Sequence, residues 1–171
     1  DFGLGDIDVD FFNLVWRGDQ YEAGLGVGVF VPVGEYTLGD MASPGKDMWT
    51  GMLTLAGTYY FDKEKTFAAS VLARYEKHSE QGDRDVTYGD DFHFEWGLSR
   101  TFAKIVDIGA CGYCHWQVTE DSGSAVTWDK GVQDKAFAVG PEISVFVPPP
   151  VLMSVSLRTL WEFEVEDRPE G

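Results

Sequence analysis

The sequence lacks any run of the roughly 20 apolar residues that a membrane-spanning helix requires, so it excludes a helical membrane protein. Basic residues are also scarce, with 13 Lys and Arg against 29 Asp and Glu, and the formal net charge is −16. Because binding to phosphates needs clustered Lys and Arg, this balance argues against nucleic acid as a partner. Asp1-Phe2-Gly3 has neither a start Met nor a signal peptide, so we expect a processed or truncated chain.

Aromatic residues, by contrast, are abundant at 15% of the chain, and hydrophobic residues make up 44%. Disordered acidic segments contain few aromatic and β-branched residues, so this composition indicates a folded protein. A length of 171 residues fits one substantial domain, residues 1–171, and is too short for two.

Apolar and polar residues alternate along eight segments of the chain, and a period of two indicates β-strands with two different faces. Between Tyr21 and Val33 every odd position is apolar, whereas Glu and Gly occupy most of the even positions. The predicted strands cover residues 2–17, 21–33, 49–61, 67–77, 92–101, 105–119, 136–147 and 151–165.

Short turns alternate with long polar loops between these strands. The turns are predicted at residues 18–20, 62–66, 102–104 and 148–150, and the loops at 34–47, 79–90 and 120–135. Short turns at one end and long loops at the other are typical of outer-membrane barrels. The pattern predicts an all-β, antiparallel up-and-down β-barrel of about eight strands, of the outer-membrane type. A soluble antiparallel barrel or sandwich with its acidic face in water is the alternative, and the net charge suits it as well.

Aromatic residues near the strand ends fit the membrane interfaces, where an amphipathic ring contacts both lipid and water. Arg100 is the one charged residue that the alternation places on an apolar face, and it lies near a short turn. The aromatic set comprises Trp49, Tyr59, Phe61, Phe92, Trp116, Trp161 and Phe163.

Six short motifs, in collinear order over essentially the whole chain, carry a family resemblance. They are Gly3-Leu4-Gly5-Asp6, Val29-Phe30-Val31-Pro32-Val33-Gly34-Glu35-Tyr36, Tyr88-Gly89-Asp90-Asp91-Phe92-His93-Phe94-Glu95-Trp96, Gln117-Val118-Thr119-Glu120-Asp121, Val139-Gly140-Pro141-Glu142 and Arg168-Pro169-Glu170-Gly171. Together they resemble the family of outer-membrane proteins associated with the meta-pathway of phenol degradation.

The resemblance implies a β-barrel in the outer membrane of a Gram-negative bacterium, linked to the uptake of aromatic or other hydrophobic small molecules. Family members carry a signal peptide and further strands before the Gly-Leu-Gly-Asp segment, and a last strand after Arg-Pro-Glu-Gly. We therefore expect either a fragment of a larger barrel or eight strands that close alone. Truncation would favour a soluble or oligomeric state, because two unpaired sheet edges are untenable in lipid.

Charged and aromatic residues on the polar strand faces are the candidates for lining a channel. They would form a wet, charged lumen with aromatic stacking sites, through which solutes pass passively. Alternatively, each of these charges only pairs with another charge or with water. The set comprises Phe30, Tyr60, Arg74, Glu76, His93, Glu95, Asp107, Tyr113, His115, Arg158 and Glu162.

Cys111-Gly112-Tyr113-Cys114-His115 matches the C-x-x-C-H pattern of c-type haem attachment. In an extended strand, however, residues three apart point to opposite faces, so Cys111 would face the lumen and Cys114 the lipid. Two unpaired thiols are therefore favoured over a haem protein that uses Cys111, Cys114 and His115.

The sequence predicts no catalytic site, metal site or cofactor. Asp6, Asp8 and Asp10 have the spacing that opens a calcium loop, but the sixth position is not Gly and the twelfth is Arg17.

An acid–base pair is equally unsupported, because His93 and Glu95 have no predicted nucleophile or metal partner. We expect a non-enzymatic protein whose partners are the lipid bilayer and small hydrophobic or aromatic solutes. The sequence is also compatible with an oligomer. The alternative function is a soluble β-rich binding module for an unknown ligand.

Overall fold

The computed structural model describes residues 3–40 and 43–166, which form one antiparallel sheet. Strands adjacent in sequence pair with one another, except that the last two both pair with the seventh. This arrangement confirms the predicted all-β, up-and-down architecture. Among the described residues there is no helix long and apolar enough to cross a membrane. The strands are β1 (Ile7–Arg17), β2 (Tyr21–Val31), β3 (Thr50–Tyr60), β4 (Phe67–His78), β5 (Asp91–Phe102), β6 (Val106–Gln117), β7 (Lys135–Val147), β8 (Met153–Arg158) and β9 (Trp161–Glu166).

The predicted strand bounds agree closely with these elements, except at the two ends of the chain. Phe2, where the first strand was predicted to begin, and residues 167–171 lie outside the described residues. The first strand begins later than predicted, at Ile7, because the segment before it contacts a loop. Asp6 accepts hydrogen bonds there from the backbone N–H groups of Gly34 at 3.0 Å and Lys46 at 2.9 Å.

The predicted eighth strand is interrupted and forms both β8 and β9. They pair with β7 in one register from Val147 to Phe137, and the register shifts between Phe137 and Lys135. The interruption lies at Thr159 and Leu160, opposite Pro141 and Gly140. Pro141 has no N–H to donate to the ladder, so only its carbonyl is used, by the Thr159 N–H at 3.2 Å. The Thr159 carbonyl lies against the Cα of Gly140, where a side chain would collide with it.

The two faces of the sheet differ in polarity. The outer face, defined by Leu53, Leu55 and Leu98, is apolar and exposed, whereas the opposite, inner face is largely polar. One inner row crosses five strands through residues that pair by register, namely Gly26, Thr54, Arg74, His93 and His115. Few apolar side chains are buried in the described chain, and these are Met48, Met52, Val86, Cys111, Ala136 and Ala138.

Aromatic rings cluster at both ends of the outer face. At the short-turn end, the ring centroids of Phe61 and Phe67 lie 4.6 Å apart and those of Tyr59 and Phe61 5.3 Å apart. At the loop end, a second cluster spans four strands through Phe92, Trp116, Phe137 and Phe163.

Charged groups border the apolar band of the outer face. Arg100 is exposed there, with its guanidinium 5.9 Å from the centroid of the Phe102 ring near a short turn. The prediction that it is the one charge on this face is wrong, because Lys77 also lies there. Lys77 pairs in register with Gly51, and its ammonium lies 3.7 Å from Asp90 at the loop end.

The two edges of the sheet are β1 at one side and β8 with β9 at the other, and the described strands do not pair across them. β1 is exposed along its whole length. A bulge between Asp10 and Phe12 shifts its register on β2, an irregularity that the alternation did not predict.

Candidate functional site

The inner face encloses a cavity of about 370 Å³ whose lining comes from strands between β3 and β8. Because six strands contribute to one cavity, the sheet must curve around it. Glu95, Asp107 and Arg158 line this space, which we call the strand cavity, together with Ser70, Ser99 and Ser144. Its polar lining follows from the alternation, since these residues occupy inner positions of their strands.

An ion pair closes one side of the strand cavity. The Arg158 guanidinium donates to one oxygen of Glu142 through Nε at 3.0 Å and also contacts it through Nη2 at 2.8 Å. Register places the two residues directly opposite each other on β7 and β8. The Ser144 hydroxyl lies 3.3 Å from the other Glu142 oxygen, so this carboxylate is fixed from two sides.

The predicted lumen residues all occupy inner positions, but they do not form one site. Arg74 donates from Nε to the Thr54 hydroxyl at 3.1 Å, and the Tyr113 hydroxyl donates to Glu162. Phe30 lies near the loop end of its strand and Tyr60 near the short-turn end of its strand, and neither residue lines the strand cavity.

Glu76, His93 and His115 of the predicted set come together with His78, whose place on a polar strand face the alternation also predicts, and with Asp91, which the sequence did not single out. We call Glu76, His78, Asp91, His93 and His115 the histidine–carboxylate cluster. Register explains it, since Glu76 lies opposite Asp91 and His93 lies opposite His115, on three adjacent strands. The chain contains three histidines, so the cluster holds all of them.

Asp91 is the centre of this cluster. Its two oxygens lie 3.3 Å from His78 Nε2 and 3.4 Å from His115 Nε2. His93 Nε2 lies 3.7 Å from Glu76 Oε2, and the Nδ1 atoms of His93 and His115 are 3.2 Å apart.

The cluster is largely shielded from solvent. Glu76 is 7% exposed, His78 6% and His115 3%, although all three are polar. Buried polar groups require partners, and here the partners are mostly one another.

His78 and Asp91 could be identified from the sequence as inner-face residues, since each continues the alternation of its strand. Their contact could not, because it depends on the register between β4 and β5 across the loop at residues 79–90.

The long loops pack against one another above the cluster. Gly82 N donates to the Asp47 carbonyl at 2.9 Å, which joins the first and second loops. Ser124 N donates to Asp85 at 2.8 Å, which joins the second and third. The hydrogen bonds of Ser124 hold the pKa of the Asp85 carboxyl below its usual range.

A second cavity of about 430 Å³, which we call the loop cavity, lies among these loops. Tyr36, Lys46 and Arg84 line it from the loops, while His78 and Asp91 line it from the strands. The histidine–carboxylate cluster therefore forms part of the wall between the loops and the strand interior.

The C-x-x-C-H segment forms a regular part of β6. Cys111 is buried on the inner face opposite Gly97, whereas Cys114 pairs with Phe94 and Phe137 on the outer face. Both thiols are free. The strand does not bring them together, so the geometry does not suit the attachment of one haem to both.

A curved up-and-down sheet with an apolar exterior and a polar interior places the chain in the all-β class of antiparallel meander proteins. The family model described as "Putative MetA-pathway of phenol degradation" matches residues 1–171. The chain belongs to this family, as its motifs indicated, and the family's description links it to phenol degradation. Comparison with curated proteins gave no match, and neither did comparison with solved structures.

Proposed function

We propose that this protein is an outer-membrane β-barrel protein, or part of one, in a Gram-negative bacterium. Its inner face gives passive passage to small hydrophobic or aromatic molecules, and it carries out no catalysis. The observation that carries this proposal is the inverted polarity of the sheet, whose large apolar side chains mostly face outward while most of its charges face inward.

The exposed area supports lipid as the surrounding medium. The accessible surface is 11209 Å², whereas a compact soluble monomer of 19.0 kDa is expected to expose about 8400 Å². The exposed side chains of the outer face, such as Leu53, Leu55 and Leu98, are apolar, whereas soluble monomers seldom leave a contiguous apolar patch larger than about 600 Å² in water. A bilayer covers such a face at no cost in hydration.

The strand lengths support a membrane crossing. Strands β2 to β7 contain 11 to 13 residues, which corresponds to about 36–43 Å of extended chain. At a tilt of about 40° they rise about 28–33 Å, enough for the apolar band of about 25 Å in outer-membrane barrels. The two aromatic clusters then fall at the two interfaces.

The strand cavity supports a path for solutes, and the family's description supports aromatic compounds as those solutes. The inner aromatic residues Phe30, Tyr60 and Tyr113 offer weak stacking sites along that face.

The test is the entry of phenol and of a dihydroxylated, more polar analogue into liposomes that contain the protein. We expect faster entry than into protein-free liposomes, with the larger difference for the polar compound, because it crosses bare lipid slowly. Equal rates in both kinds of liposome would contradict the proposal.

Two tryptophan variants locate the path. Ser70→Trp fills the strand cavity and is expected to slow entry, whereas Ala69→Trp places the same ring on the outer face, opposite Leu98, and leaves entry unchanged. Equal rates for the two variants would remove the strand cavity from the path. A sharp monomer in detergent-free buffer would instead favour a soluble binding module.

A further inference from the structure

The histidine–carboxylate cluster has a composition that solute passage does not require. Glu76, His78 and Asp91 each offer a ligand atom, and these atoms all lie within 4.8 Å of one another. Imidazole nitrogen and carboxylate oxygen together form the mixed donor set that suits zinc and neighbouring divalent transition metals.

The spacing of these atoms is close to that of a metal site. Bonds of about 2.0–2.1 Å to a tetrahedral Zn²⁺ place its ligand atoms about 3.3–3.5 Å apart. His78 Nε2 lies 3.3 Å from Asp91 Oδ2, and His115 Nε2 lies 3.4 Å from Asp91 Oδ1. His78 and Asp91 therefore already have the spacing of two ligands of one ion, and a Glu76 oxygen lies within 4.8 Å of both ligand atoms.

The ring of His78 is oriented for this role. Its Nδ1 lies 2.9 Å from the hydroxyl of Thr50, a residue that is only 1% exposed. If Nδ1 carries the proton and donates to this oxygen, the lone pair of Nε2 points toward Asp91. Histidines that bind metals are commonly held by such a hydrogen bond at the other ring nitrogen.

The neighbouring histidines support the same arrangement. Nδ1 of His115 lies 3.2 Å from Nδ1 of His93, so one of these atoms donates and the other accepts. When His115 donates, its Nε2 lies with its lone pair 3.4 Å from the Oδ1 atom of Asp91, an arrangement that a cation beside the carboxylate would stabilise. His93 Nε2 then carries a proton that faces Glu76, and this nitrogen has no hydrogen-bond partner within the described part of the chain.

We propose that Glu76, His78 and Asp91 bind one divalent transition-metal ion of the zinc class. Thr50 acts as a positioning residue for His78. The ion reaches the site through the loop cavity, which His78 and Asp91 line. This binding goes beyond the proposed passage of solutes and is measured without it.

The competing explanation is a network of ion pairs in which the histidines are protonated and no metal binds. The two explanations differ in metal uptake, because a network of ion pairs binds no ion, whereas a metal site takes up one ion per chain. Co²⁺ distinguishes them, since it occupies zinc sites and its visible absorption is intense when it is tetrahedral.

The experiment is a titration of the full chain in detergent with Co²⁺, followed by absorption, and with Zn²⁺, followed by calorimetry. We expect saturation at one ion per chain and an absorption band that Zn²⁺ abolishes. His78→Ala and Asp91→Asn should remove the band, because each variant removes one of the three ligands.

Two further, conservative variants distinguish a loss of metal binding from a loss of the fold. Thr50→Val keeps the shape of the side chain and removes only the hydroxyl, so we expect binding to weaken about 10–100-fold with the band retained. Glu80→Gln, an exposed loop carboxylate next to the cluster, should bind as the unchanged protein does.

Circular dichroism confirms that each variant retains the β-sheet. The proposal fails if no saturable band forms, or if His78→Ala binds as tightly as the original chain. It also fails if Glu80→Gln weakens binding as much as Asp91→Asn, because the ions then bind to the acidic surface at large.

Discussion

At the scale of single residues, Asp62 illustrates how one side chain fixes a turn. Its carboxylate accepts a hydrogen bond from the Thr66 hydroxyl at 2.6 Å and from the backbone N–H groups of Thr66 at 2.9 Å and Phe67 at 2.7 Å. These bonds, that of the Thr66 hydroxyl above all, lower the pKa of the Asp62 carboxyl. The short charged turn that the sequence predicted is thus closed by its own first residue.

This lowered pKa predicts a pH-dependent contribution to stability. A carboxyl group whose pKa is lower in the folded state stabilises the fold above its unfolded pKa of about 3.9, and the effect is lost as pH falls through the folded pKa. We expect Asp62→Asn to lower the unfolding temperature at neutral pH and to change it little below both pKa values. Circular dichroism of the detergent-solubilised protein at both pH values measures this.

The matched control for Asp62 is Glu64→Gln, which removes an exposed charge from the same turn. Its unfolding temperature should follow that of the unchanged protein at both pH values. An equal loss for Asp62→Asn at acidic pH would show that the variant acts by something other than its charge.

Single residues also mark where prediction from the sequence ended. Alternation assigned Glu76, His93 and His115 to the inner face, and register confirms that position. It could not reveal that Asp91 lies between two imidazoles, because the register of β4 on β5 is set by how the intervening loop packs. For the same reason, Thr50 carried no signal in the sequence, although it contacts His78.

At the scale of the strand, faces were easier to predict than irregularities. The alternation of apolar and polar residues within a strand does not depend on the structure of the loops, so the eight segments and their turns could be found from the sequence. The bulge in β1 and the break between β8 and β9 could not, because each depends on the partner strand. Pro141 and Gly140 lie on β7, yet they interrupt the strand opposite.

The two faces of β3 allow a direct test of the medium around the sheet. Leu55 is central on the outer face, and the next residue, Ala56, faces the strand cavity. Arginine on a lipid-facing strand near the bilayer centre costs about 2–4 kcal/mol, whereas a lumen position tolerates it. We therefore expect Leu55→Arg to be destabilised by that amount relative to Ala56→Arg, as measured by urea unfolding from lipid vesicles.

The order of the two variants carries the conclusion. If Ala56→Arg is the less stable, the inner face is the dry side and the sheet belongs in water. Because both substitutions introduce the same side chain at adjacent positions of one strand, differences in β-propensity cancel.

At the scale of the whole molecule, a location in the membrane depends on the pairing of the two edges of the sheet. β1 and β8 each have one strand neighbour among the described residues, which leaves backbone N–H and C=O groups without a ladder on the other side. In water such an edge is hydrated, but in hydrocarbon each unpaired group costs several kcal/mol. A membrane location therefore demands that the edges pair, with each other or with another chain.

Hydrogen exchange in lipid vesicles measures that pairing. We expect the amides of β1 and β8 to be protected to the same degree as those of β4, which has a strand on both sides. Rapid exchange along β1 in a chain that stays bound to the vesicles would contradict the proposed crossing, because the edge would then be in contact with water.

Where both edges are protected, cross-linking through cysteines introduced into β1 and β8 shows whether the edges pair with each other or with a second chain. A product of monomer mass means that the sheet closes on itself, and one of dimer mass means that a second copy completes it.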